Sequence, residues 1–179
     1  MSESKESCIL CQILDGKVPS KKVYEDDEII VILDVNGANP GHCFVMPKEH
    51  YTIMEQVPDH MIGKLFQIAN KVSSAVFEAL EIKGTNIFVT NGIAAGQMVA
   101  HFLINVIPRN DNDGINLQWQ PKQLTEEEVS TVELQLKEAF QNTGSFQKTP
   151  ETPKEAKKPE KETISDDEDY LLKQLRRIP

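Results

Sequence analysis

Apolar residues recur along this chain with two different periods. Between Pro58 and Leu80, the positions Met61, Leu65, Ile68, Val72, Val76 and Leu80 return at three- and four-residue steps. That spacing predicts one long amphipathic helix over 58–80, with Gly84 as a stop shortly beyond it. A second stripe, Val129, Val132, Leu136 and Phe140, predicts a shorter helix from Thr125 to about Gly144. Thr125 and Glu128 have capping-box spacing, and Glu126, Glu127 and Glu128 put acids where the helix dipole favours them. Elsewhere, short apolar runs bounded by turn residues predict strands over 22–25, 28–34, 42–46, 86–90 and 99–107. The pair Asp26-Asp27 suits a hairpin turn, residues 36–41 are dense in turn formers, and Pro47 stops the third strand. Mostly consecutive strands with two helices describe an antiparallel α+β domain.

The pattern fails after residue 144. Residues 145–163 are rich in Lys, Glu, Thr and Pro and nearly devoid of large apolar side chains. Such a segment cannot offset its chain entropy by burial and is expected to be disordered. The domain is therefore set at 1–144, a linker at 145–165 and a terminal motif at 166–179. In that motif, acids at 166–169 precede Tyr170, and Leu171, Leu172, Leu175 and Ile178 suit one side of a short helix ending in Arg176-Arg177. A tail of this kind is expected to fold on a protein partner, with Ser165 a candidate phosphorylation switch beside the acids.

Charge changes the picture of partners. Residues 145–179 carry eight Lys/Arg and eight Asp/Glu, so the formal −9 belongs wholly to residues 1–144. A body this acidic repels long polyanions, which argues against nucleic acid as a partner. No apolar run approaches the ~18 residues of a membrane span, and no signal peptide is evident, so a cytoplasmic location is expected.

Candidate chemistry begins with the cysteines. Three are too few for a disulfide scaffold, and Cys43, alone in an apolar strand, reads as a small buried residue. Cys8-x-x-Cys11 has three readings: zinc half-site, redox pair or chance. The redox reading is weak, because no thioredoxin-like βαβ pattern surrounds the pair. A tetrahedral zinc site would need two more ligands, and the histidines on offer are His42, His50, His60 and His101. In the strand predicted over 99–107, the two-residue alternation puts His101, Leu103 and Asn105 on one face.

The order of short motifs then carries a resemblance. Cys8-x-x-Cys11, Val23-Tyr24-Glu25-Asp26-Asp27, Asp34, Pro40-Gly41-His42, Pro47-Lys48-x-His50, Gly96-Gln97 and Ile107-Pro108-Arg109 follow one another as in the histidine triad (HIT) superfamily. The chain resembles its Hint-like, bacterial-type branch from about residue 8 to residue 140. The resemblance implies a five-stranded antiparallel sheet and a homodimer in which two sheets become continuous. It implies purine mononucleotide or nucleoside binding, with Asp34 on the ribose, and with Asn91, Gln97 and Asn105 as further polar contacts. It loosely implies Ile9, Ile13 and Ile32 near the base. It also implies one Zn2+ per chain held by Cys8, Cys11, His50 and His101.

The same resemblance marks a departure. The family's His-x-His-x-His reads His101-Phe102-Leu103-Ile104-Asn105 in this chain. In the family, the middle histidine attacks the α-phosphorus; a leucine there has no lone pair and forms no such intermediate. Asn105 replaces the third histidine, and Met98 stands where the family has a phosphate-contacting serine. The expectation is a catalytically impaired, zinc-stabilised nucleotide- or nucleoside-binding module. The alternative is a weak nucleotide phosphoramidate or dinucleotide hydrolase.

Overall fold

The computed structural model describes residues 5–142, in two compact units divided after Trp119. The expected linker 145–165, Ser165 and the terminal motif 166–179 lie outside the described residues. The first unit holds a five-stranded antiparallel sheet of β1 (Lys22–Glu25), β2 (Ile29–Leu33), β3 (Cys43–Pro47), β4 (Gly84–Phe88) and β5 (Ile104–Arg109). The spatial order is β1-β2-β3-β5-β4. Two helices accompany it, the short α1 (Ile9–Leu14) and the long α2 (Asp59–Leu80). The second unit contributes α3 (Glu126–Asn142), where the Thr125 hydroxyl accepts from the Glu128 N–H and the Glu128 carboxylate accepts from the Thr125 N–H, forming the expected capping box.

The β1–β2 turn follows its chemistry. Asp26 Oδ1 accepts from the backbone N–H of Glu28 at 2.9 Å and of Ile29 at 2.7 Å, closing the hairpin. Strand β2 is apolar throughout because both faces of the sheet are covered. Ile29 and Val31 pack with Met61, Leu65, Ala69 and Val72 of α2, while Ile30 and Ile32 pack with Leu10 and Cys11 of α1. The same parity sends Ile104 and Val106 of β5 into the α2-side core, and leaves Asn105 for the α1 side.

Three expectations shift. The left-handed residue ending α2 is Glu81 (φ 50°), not a glycine; Gly84 instead opens β4. Buried Ile82 follows the turn, and Lys83 N–H donates to the Arg109 carbonyl, so the sheet begins earlier than 86. Helix α1 escapes prediction because six residues are too few to display a period. The last strand begins at Ile104 rather than Val99. Its pairing with β3 ends at Val45–Ile104, and two residues further along β3 is Pro47, which has no N–H to offer. Phe102 N–H donates to the Tyr51 carbonyl instead.

Candidate metal centre and adjoining pocket

Three separate segments bring four donors together on the α1 side of the sheet. Cys8 precedes α1 and Cys11 lies in its first turn, so three-residue spacing puts both sulfurs on one face. His50 follows the end of β3, and His101 precedes β5. The four ligand atoms lie within 4.8 Å of one another, with Cys8, Cys11 and His101 buried and His50 half-buried.

The spacings suit a small tetrahedral cation. Metal–sulfur bonds of about 2.3 Å and metal–nitrogen bonds of about 2.0 Å hold S and N ligands about 3.5 Å apart. His101 Nδ1 lies 3.6 Å from Cys8 Sγ and 3.5 Å from Cys11 Sγ, and His50 Nδ1 lies 3.2 Å from Cys11 Sγ. His101 Nε2 donates to the Pro47 carbonyl at 3.1 Å, which fixes its tautomer and turns the Nδ1 lone pair toward the sulfurs. Burial lowers the pKa of His101 and keeps the ring neutral. His50 Nε2 is buried without a hydrogen-bond partner among the described residues. Burial, reinforced by neighbouring Cys8, pushes the Cys11 thiol up to about 11. Protein atoms alone therefore do not stabilise thiolates here, whereas a divalent cation beside two thiolates gives a neutral site. The cluster could bind a metal.

A pocket of about 200 Å³ adjoins the cluster, and His101 belongs to both. Although 99–103 is not strand, His101, Leu103 and Asn105 all line this pocket, as alternation would place them. Asp34 and Gln97 line it too, whereas Asn91 does not. Asn91 instead ties a neighbouring turn, accepting from Met54 N–H at 2.9 Å and donating to both Glu55 carboxylate oxygens. Ile9, Ile13 and Ile32 are not among the lining residues; Leu10 and Phe44 are.

Both side-chain N–H groups of Gln97 go to backbone. Its Oε1 accepts from Gly92 N–H at 2.8 Å, and its Nε2 donates to the Thr52 and Val99 carbonyls at 2.7 and 2.9 Å. Sequence reading underrated His42, which lines the pocket beside Phe44. The signal was available: counting back by twos from Met46, which faces α1, reaches Phe44 and His42. His42 Nδ1 accepts from Ala38 N–H at 3.2 Å, so Nε2 carries the proton and donates to Asn105 Oδ1 at 3.1 Å. Gly37 permits this approach, since a Cβ there would lie 2.7 Å from His42 Cβ. Asp34 uses Oδ1 to accept from Asn36 N–H, and its Oδ2 stands 3.5 Å from His42 Nδ1. A larger apolar hollow of about 510 Å³ lies on the other side of the sheet, against Val72 and Val76, away from these donors.

The model of the HIT domain matches residues 15–112. The chain belongs to the HIT family. A HIT-like protein of Methanocaldococcus jannaschii is 39% identical over 107 residues, which cover 60% of this chain and 82% of that one. The adenylylsulfatase HINT3 of Arabidopsis thaliana is 36% identical over 112 residues, 63% of this chain and 57% of that protein, so the match spans less than two thirds of its length. Among solved structures, a zinc-bound histidine triad family protein from Mycobacterium smegmatis superposes with a TM-score of 0.60 at 28% identity, covering 78% of this chain and 99% of that one. Within the HIT fold, the cluster and the pocket lie on one face of the sheet. Among the described residues, no helix is long and apolar enough to cross a membrane.

Proposed function

We propose that this HIT protein is a zinc-stabilised binding module that has given up nucleotidyl transfer. The observation that carries this reading is Leu103, an apolar side chain in the pocket at the position where HIT chemistry uses a nucleophilic nitrogen. The pocket is read as a purine nucleotide or nucleoside site, with Asp34 and Asn105 as its ligand-facing polar side chains. Gln97 and Asn91 serve it indirectly, by holding the wall.

One Zn2+ per chain is assigned to Cys8, Cys11, His50 and His101. Four protein ligands leave no open coordination position, so the ion supplies folding stability, not a Lewis acid. Dimerisation through the open edge of β4 fits the sheet order, in which β4 has, among the described residues, only β5 as a neighbour. The tail beyond residue 144 is assigned to a protein partner, and the location to the cytoplasm.

The rival reading is a weak hydrolase of nucleotide phosphoramidates or dinucleotides, and it draws on relatives such as the adenylylsulfatase. Against it, both ring nitrogens of His101 are engaged, one toward the sulfurs and one on Pro47. Two measurements decide. Elemental analysis is expected to give one zinc per chain, and less than about half an equivalent overturns the metal assignment. Incubation with an adenosine phosphoramidate is expected to give no turnover above the blank; turnover that vanishes in His101→Ala without loss of the fold establishes the rival.

A further inference from the structure

The polar inventory of the pocket says which ligand it takes. Among the described residues, Asp34 is the one carboxylate lining the cavity and no Lys or Arg lines it, while His42 Nδ1 is taken up by the Ala38 N–H. Gln97 has no N–H left to donate. Asn105 commits Oδ1 to His42 and one N–H to the Phe88 carbonyl at 3.4 Å. The side-chain donors that remain are one Asn105 N–H and the Thr90 hydroxyl, beside the Asp34 carboxylate as acceptor. Around them stand Leu10, Phe44, Met98, Val99 and Leu103.

We infer that the pocket takes an uncharged nucleoside in preference to its monophosphate. The inference rests on the nucleotide- or nucleoside-site reading above and chooses between its two ligand classes. A carboxylate accepts hydrogen bonds and donates none, so Asp34 suits the vicinal hydroxyls of a ribose. The apolar walls suit a heteroaromatic base. A phosphate dianion meets the opposite conditions: no cation, two side-chain donors and a nearby carboxylate in a partly desolvated cavity. The acidic body adds a repulsive long-range field, since all of the chain's net charge falls in residues 1–144.

The test is calorimetric titration of the full-length, zinc-loaded protein with adenosine, AMP and dideoxyadenosine, at low and at moderate salt. Adenosine is expected to bind at least about tenfold more tightly than AMP, and the gap is expected to narrow as salt screens the repulsion. Dideoxyadenosine, which cannot donate to Asp34, is expected to bind about fivefold or more weakly than adenosine. AMP binding as tight as adenosine overturns the inference while leaving the site itself standing. Equal binding of adenosine and its dideoxy analogue removes Asp34 from the argument and also overturns it. Silence from all three ligands overturns the binding function on which the inference rests.

Asp34→Asn separates charge from shape, with thermal unfolding run alongside to verify the fold. A residue acting on the ligand's charge is expected to weaken adenosine while narrowing the adenosine-to-AMP ratio. A merely structural residue would lower both affinities equally, and that result would also count against the inference.

Discussion

The donor cluster and the pocket share His101 and the same face of the sheet, yet their polar side chains point their chemistry in opposite directions. In the cluster, Cys8, Cys11, His50 and His101 turn two sulfurs and two nitrogens inward on one another, at spacings a tetrahedral ion would bridge. In the pocket, most polar capacity is turned outward into the protein: Gln97 onto three backbone groups, His42 and Asn105 onto each other. The lesson is that a polar residue at a family position is defined by where its donors and acceptors go. A side chain saturated by backbone holds a wall; only one with capacity left meets a ligand.

The largest effect is expected on the cluster side. Cys11→Ala removes one of the two thiolates, and the bound zinc is expected to fall well below half an equivalent. Because metal binding is folding free energy, we expect a loss of about 3 kcal/mol or more, roughly a 10 °C fall in Tm. A chelator is expected to produce a similar fall in the unmodified protein and little further fall in the variant. If Cys11→Ala keeps its zinc and its Tm, the cluster is no more a metal centre than the pocket is, and the comparison collapses.

An intermediate effect is expected at the pocket wall. Gln97→Ala strands the Gly92 N–H and the Thr52 and Val99 carbonyls, so a cost of about 1–3 kcal/mol in denaturant unfolding is expected. Adenosine affinity is expected to stay within about twofold, because both Gln97 N–H groups and one Oε1 lone pair are spent on backbone. A tenfold loss of affinity at unchanged stability would return Gln97 to the ligand-facing group and blur the contrast.

The division between what residue order disclosed and what it hid follows the same line. The sheet, α2 and the capping box of α3 were legible because their periods, turn acids and caps are local signals. The four donors were legible through Cys8-x-x-Cys11 and the family motif order, although 93 residues separate Cys8 from His101. The extent of β5 was not legible, since it depends on Pro47 in a different strand failing to offer an N–H. Nor was the fate of Asn91 and Gln97. Both carry the residue types a nucleotide site needs, and only the fold shows Asn91 bound to Met54 and Glu55 and Gln97 bound to backbone. His42 was hidden for the converse reason: it opens the strand predicted over 42–46, but no local signal says that its ring is buried against Asn105.

The smallest effect is expected from Met98→Ser, and it probes which missing group accounts for the proposed preference against phosphate. Met98 is 97% exposed, so trading its thioether for a hydroxyl is expected to move stability by no more than about 0.5 kcal/mol. The new hydroxyl adds one donor at the mouth, where water competes, and a hydrogen bond there is worth about 1 kcal/mol at most. AMP affinity is therefore expected to rise by no more than about fivefold, with adenosine unchanged and no turnover gained. The reason is positional. Leu103 and the committed Asn105 lie further in, and a surface hydroxyl supplies neither a cation for the phosphate nor a nitrogen to attack it. A far larger gain in AMP binding would mean that the serine position alone had excluded the anion. The absence of positive charge in the pocket would then no longer account for ligand choice.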